Sequence, residues 1–169
     1  MMFEAIGALL GAGFFAAFHV PVPHRRDGQW QMAKLQGKPA RVMGVLYHIC
    51  LLPAIAALPA PVWAVAAGLT WMLLDIVLDA AGLAGTDVDV APFRSGVHVV
   101  ASLWLVTAGW TAGPVMGLVG TTHAAVFMVR LVLRSQGRPY PGWVPFASAW
   151  LNIGWMVGVA ITLANLQSV

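Results

Sequence analysis

A single cysteine, Cys50, leaves the chain without any internal disulfide. Charge is almost as scarce. Only 9% of the 169 residues are Asp, Glu, Lys or Arg, against about 25% in an ordinary soluble domain. That shortage excludes a soluble globular protein, because too little charge is available to cover a water-facing surface. The formal charge of +3 is small and dispersed, which excludes a nucleic-acid-binding surface. The sequence also has no phosphate-binding Gly-rich loop, no nucleophile elbow, no His-Glu-x-x-His and no His-x-x-x-His.

Apolar residues dominate, at 60% of the sequence, and the mean hydropathy is +0.81. A hydrocarbon core about 30 Å thick needs roughly 20 apolar residues per crossing helix. The expected fold is therefore all-α, a polytopic membrane bundle occupying residues 1–169 as one domain. The punctuation predicts six spans, near 3–20, 42–58, 62–83, 93–111, 115–133 and 143–166. Pro21 and Pro23 stop the first, Pro59-Ala60-Pro61 and Ala112-Gly113-Pro114 make tight turns, and Pro92 suits a first helical turn. Glu4 stands where a cleaved signal peptide would carry basic residues, so the first apolar segment reads as a retained helix. Gly7 and Gly11 form a small-xxx-small pair that lets another helix approach. The connection around Trp30 to Leu35 is expected to form a short interfacial helix.

Six spans place the connections at 21–41, 84–93 and 134–142 on one side. All nine Lys and Arg residues fall in those connections or within about one turn of them. The positive-inside rule then puts these connections in the cytoplasm and both termini on the non-cytoplasmic side of a cell inner membrane. Gln36-Gly37-Lys38-Pro39 and Gln136-Gly137-Arg138-Pro139 are alike and each follows an odd-numbered span, which is compatible with a duplicated hairpin.

Depth below the basic boundary, at 1.5 Å per residue, brings out a layer. His48 follows Arg41 by seven residues and His123 precedes Arg130 by seven, so both lie about 10 Å deep. His98 follows Arg94 by four, about 6 Å deep, and His19 ends the first span. Asp75 and Asp79, at i and i+4, share one face of the third span in its inner half. A carboxylate inside a span normally faces a partner, a cavity or a metal. His19, His48, His98 and His123 are thus the candidate metal ligands, and a transition metal or haem b is the cofactor such a layer would suit. Asp75 and Asp79 are the candidate acid–base groups. They could equally be ion-pair partners of Arg94 or Arg130, and each histidine could equally bond to a neighbouring helix. Asp87 and Asp89 read as caps of a connection.

Eight tryptophans are present. Trp63 and Trp110 fall at the outer boundary and Trp30 and Trp143 at the inner, an aromatic belt. Trp71, Trp104, Trp150 and Trp155 lie within spans, as packing or as an aromatic wall around a flat ligand. The segment Pro139-Tyr140-x-x-Trp143-Val144-x-Phe146-Ala147, with Leu151-Asn152 and Trp155, resembles the last-helix pattern of the tryptophan-rich sensory proteins. Those are small five-helix membrane proteins that bind porphyrins, and the resemblance implies a flat hydrophobic ligand. It covers under a tenth of the chain. The family's first-loop motif is missing, since Lys38-Pro39 is followed by Ala40-Arg41.

Three functions fit these residues. One is a metal- or haem-dependent redox or enzymatic reaction on a lipid-soluble small molecule. Another is a channel or transporter for a small solute or protons, in which six short spans would suit a homo-oligomer. The third is an accessory subunit that docks a larger membrane complex. The partner common to all three is the lipid bilayer, and none involves nucleic acid.

Overall fold

The structure, a computed structural model, describes the backbone of residues 2–20, 22–26, 29–33, 35–86 and 91–166, with side chains except at 22–26, 29–33 and 91–92. The described residues form six helices: α1 (Met2–His19), α2 (Gly37–Ala57), α3 (Val62–Leu83), α4 (Ala91–Ala112), α5 (Pro114–Ser135) and α6 (Trp143–Asn165). They follow the expected spans closely. The main shift is at α2, which starts at Gly37 instead of residue 42. Pro39 falls in its first turn, where a missing N–H removes no intrahelical bond.

Five helices, α1, α2, α3, α5 and α6, are long and apolar enough to cross a membrane. The chain is accordingly a multi-pass membrane protein. Helix α4 equals α3 and α5 in length at 22 residues, but Arg94, Ser95, His98 and Ser102 dilute its apolar character.

Each helix packs on its neighbours in sequence, and α1 closes on α6. The result is a ring of six helices around a common core. Its lysines and arginines on the helices collect at one end: Arg41 beside Gly82, Arg94 on Asp79, and Arg130 beneath Tyr140. This is called the basic end below. Two helices stop there with the same device. After α3, Gly85 has φ +87° and the Thr86 N–H donates to the Ala81 carbonyl. After α5, Gly137 has φ +66° and the Arg138 N–H donates to the Leu133 carbonyl. A left-handed residue of this kind favours glycine and satisfies carbonyls that the helix leaves open.

The interfacial helix expected over Trp30–Leu35 does not form. Gln29–Ala33 is instead a strand, β2, paired antiparallel with β1 (Val22–Arg26), in a register from Val22↔Ala33 to Arg26↔Gln29. The physical reason is local. Two five-residue runs flank Asp27-Gly28, a dipeptide that favours a two-residue hairpin connection. A helix of five or six residues is marginal alone. The Trp30 side chain, Asp87 and Asp89 lie outside the described residues, so the expectations for them do too.

The Gly7/Gly11 expectation holds at the α1–α2 contact. A β-carbon at Gly7 would stand 2.5 Å from the Cys50 carbonyl oxygen, and one at Gly11 3.4 Å from that of Tyr47. Gly13, on the same helix, has nothing within 4 Å of such an atom. Gly7→Leu is therefore expected to destabilise the bundle by about 1–3 kcal/mol through overpacking, while Gly13→Leu leaves it near wild type. Thermal unfolding of both variants in one detergent checks this, and equal melting temperatures would refute the close α1–α2 contact.

Candidate functional site

Inside the ring, towards the basic end, lies a cavity of about 250 Å³. All six helices line it, with Phe15 from α1, His48 from α2, Asp75 from α3, His98 from α4, His123 from α5 and Asn152 from α6 among its walls. The chain places these residues there by depth: each sits about two to three turns or less from the basic end of its helix. Helical rotation then decides which side chains turn inward. Asp75 and Asp79, one turn apart on α3, both turn in and are 1% and 7% exposed.

Asp75 is the hub. Its Oδ2 accepts a hydrogen bond from Trp71 Nε1 at 2.8 Å, one turn earlier on the same helix. His48 Nε2 stands 3.5 Å from that oxygen and His98 Nε2 3.2 Å from it. Arg94 Nε is 3.6 Å from Asp75 Oδ1, and Arg94 Nη2 donates to Asp79 Oδ1 at 2.6 Å. His48 spans the two acids, since its Nδ1 is 3.8 Å from Asp79 Oδ2. Two buried carboxylates thus meet one guanidinium and two imidazoles drawn from α2 and α4. Short Arg–carboxylate bonds of this kind are among the stronger hydrogen bonds in proteins.

A second cluster of polar side chains lines the same cavity. Ser148 Oγ and His123 Nε2 are 3.3 Å apart, and the Asn152 amide donates to the Tyr47 hydroxyl at 3.3 Å. Asp75 Oδ1, His123 Nδ1 and Asn152 Oδ1 are buried without hydrogen bonds to protein. Such atoms are hydrogen-bonded in most proteins, so the walls offer polar binding capacity to whatever enters. Phe15 and Phe127 supply the apolar part of the lining.

Beyond the cavity the ring is packed solid. Trp104 and Trp155 are fully buried with ring centroids 4.3 Å apart. Met156, Val159 and Leu163 below them are also at 0% exposure. The cavity therefore has a floor.

The sequence candidates separate accordingly. Asp75, Asp79, His48 and His98 form one network, while His123 lines the same cavity and pairs with Ser148. His19 lines the cavity stacked on Phe15, with ring centroids 3.9 Å apart. Of the four intraspan tryptophans only Trp71 lines the cavity. Trp104 and Trp155 build the floor. Trp150 is 50% exposed on the outer face of α6, where it lines a separate groove with His19 and Phe146. Among the described residues, no three His, Cys, Asp or Glu side chains are arranged to hold a metal ion.

Two site residues escaped the sequence reading in their role. Arg94 served there as a depth marker and an alternative ion-pair partner, but it is the cation on which both acids close. Tyr47 gave no signal beyond its place next to His48, and it is 2% exposed against Asn152.

Removing the guanidinium takes from both acids the one Arg or Lys paired with them among the described residues. Arg94→Gln is expected to destabilise the protein by about 3 kcal/mol, the lower end for breaking a buried pair, since Arg94 keeps some solvent contact. Adding Asp79→Asn should recover part of that loss. Unfolding of single and double variants in detergent checks both, and an unchanged Arg94→Gln midpoint would show that the pair carries no weight.

Compared with known proteins, the chain matches no family model, no curated protein and no solved structure.

Proposed function

We propose that this chain is a proton-linked transporter of a small polar solute, working from the cytoplasmic face of a cell inner membrane. All six helices cross the bilayer in this reading, α4 included, because ring closure places α4 between α3 and α5 as fully as any other helix. The basic end then faces the cytoplasm and both termini lie outside, in keeping with the positive-inside rule. The observation that carries the proposal is the Asp75 hub. A carboxylate 1% exposed is surrounded by two imidazoles, an indole N–H and a guanidinium at the edge of a polar cavity open towards one end. Intramembrane acids and histidines in contact are the usual material of proton relays, and imidazole changes its charge near neutral pH.

Cavity size supports a small solute. At about 250 Å³ the space falls below the roughly 300–1,000 Å³ that encloses a drug-sized ligand. A haem b or another flat tetrapyrrole fits this volume poorly. Within the transport reading, the floor of Trp104 and Trp155 makes the described state closed towards the opposite side, as alternating access requires of one of its states.

A second reading, a metal-dependent reaction, is favoured by one feature of the hub. His48 Nε2 and His98 Nε2 lie 3.5 and 3.2 Å from a single Asp75 oxygen. Ligand atoms on a tetrahedral ion stand about 3.3 Å apart when each is roughly 2.0–2.1 Å from the metal. Side-chain movement would have to complete the set.

Proteoliposomes carrying an internal pH dye distinguish the two. Under an imposed membrane potential the solute-free wild type is expected to leak protons through the Asp75 relay, and Asp75→Asn to cut the rate by about a hundredfold or more, the lower end of what a positioned proton-transfer group contributes. Wild-type vesicles no leakier than empty ones would sink the transport reading. For the second reading, elemental analysis of chelator-free protein should find a transition metal near one per chain that disappears in His98→Ala; metal-free protein would end it.

A further inference from the structure

Beside the cavity, between the basic-end segments of α4 and α5, lies a second cleft of about 170 Å³. Arg94, Ser95, His98, Arg130 and Arg134 form its polar walls, with Phe127 and Leu131, and among the described residues no carboxylate lines it. Basic residues at this depth ordinarily mark a membrane boundary. Here three of them converge on one concave wall instead of spreading around the ring. Arg138, by contrast, is exposed in the connection after α5 and lines no cavity described here.

Among the described residues, carboxylates balance only part of the charge in the cleft. Arg94 is taken up by Asp79 and Asp75, at 2.6 and 3.6 Å. Arg130 and Arg134 form no ion pair among the described residues. They sit at i and i+4 on α5, so they share a face and repel each other. Arg130 is half-buried, and its guanidinium stands 5.4 Å from the Tyr140 ring, a cation–π contact that supplies no counter-charge. Arg134 is exposed at the mouth of the cleft, and two like charges side by side, one of them half-buried, become favourable when an anion bridges them. The planar guanidinium is matched to carboxylate and phosphate oxygens, which it can bind through two parallel N–H bonds.

We infer that the α4–α5 cleft is a binding site for a small oxyanion, a phosphate or carboxylate group, held mainly by Arg130 and Arg134. Arg94, His98, Phe127 and Arg130 line both cleft and cavity, so the cleft is a vestibule of the same space. The inference therefore gives the proposed transport a solute class and rests on that reading for its meaning, although binding itself is measurable without any flux. The same oxyanion chemistry has two sources in a membrane: a free anion from the cytoplasm, or the headgroup phosphate of an anionic lipid.

The test uses full-length protein in a neutral detergent, with inorganic phosphate titrated by calorimetry. Binding is expected in the wild type, weakened about tenfold or more by Arg130→Gln/Arg134→Gln and unchanged by Arg138→Gln. In a second arm, the protein is placed in nanodiscs of mixed phosphatidylcholine and phosphatidylglycerol, and lipid retained after delipidation is measured by mass spectrometry. Selective retention of phosphatidylglycerol that is lost in the Arg130/Arg134 double variant, without phosphate binding, assigns the cleft to a headgroup and upholds the site. If neither phosphate nor phosphatidylglycerol depends on Arg130 and Arg134, or if Arg138→Gln weakens binding as much, the site is overturned. Proton flux retained alongside that failure would leave the transport reading standing, while phosphate binding without proton flux would sink the transport reading alone.

Discussion

The structure turns on two carboxylates that have to be kept charged, or paired, in the wall of an apolar bundle. At the roughly 6 Å spacing of an i,i+4 pair and an effective dielectric constant near 20, Asp75 and Asp79 would repel by about 3 kcal/mol if both were ionised. Desolvation adds several kcal/mol for each ion. Helix α3 cannot supply the answer, because it contains no Lys, Arg or His. Partners must come from the flanking helices: His48 from α2, Arg94 and His98 from α4. The electrostatic requirement of one helix thereby fixes the rotation and depth of the two packed against it.

Close packing follows from the same requirement. A β-carbon at Gly44 would stand 2.5 Å from Asp79 Oδ2, so α2 has no side chain where the carboxylate needs room. At Gly82 such an atom would collide with the Arg41 guanidinium. Gly68 plays the equivalent part for the floor, where a β-carbon would come within 2.8 Å of Trp104 Cγ and 2.9 Å of Ile55 Cγ2. These glycines sit inside helices, where they cost about 1 kcal/mol each relative to alanine. They are explained by the bulky or charged side chain opposite, and not by any turn.

Helix number and limits were legible because proline and glycine mark the ends and apolar runs of the right length lie between them. The inward layer was legible too, since depth depends only on counting residues from the basic boundary. Rotation was not. Trp150 lies five residues before Trp155, about 140° away around the helix, which sends Trp150 to the outer face while Trp155 reaches the floor. Period alone does not say which of the two directions is inward when both faces of a span are apolar. The hairpin over Val22–Arg26 and Gln29–Ala33 has a readable signal in Asp27-Gly28, but a mixed polar and apolar run between two spans matches an interfacial helix as well. Gln36-Gly37-Lys38-Pro39 and Gln136-Gly137-Arg138-Pro139 share even the glycine conformation, φ +65° and +66°. Yet the first opens a helix and the second follows one, so the likeness reflects turn chemistry more than a repeated hairpin.

The two halves of the ring differ in what could move. Around the cavity, contacts run through long polar side chains, with Arg94 and His98 each about a third exposed, and rotamer changes there would suffice to admit a small guest. The floor is different. Trp104 and Trp155 interlock with a close α3–α4 approach at Gly68 and a close α5–α4 approach at Gly120, where a β-carbon would clash with the Leu105 carbonyl. An indole wedged between helix backbones has no alternative rotamer to occupy while those backbones stay in place, because interiors at this packing density leave no empty volume for it. Any passage from the basic end to the other must therefore part the helices themselves, by rigid tilting of α3 or α5 against α4, so a step that opens the floor also disturbs the Arg94 and His98 contacts at the hub.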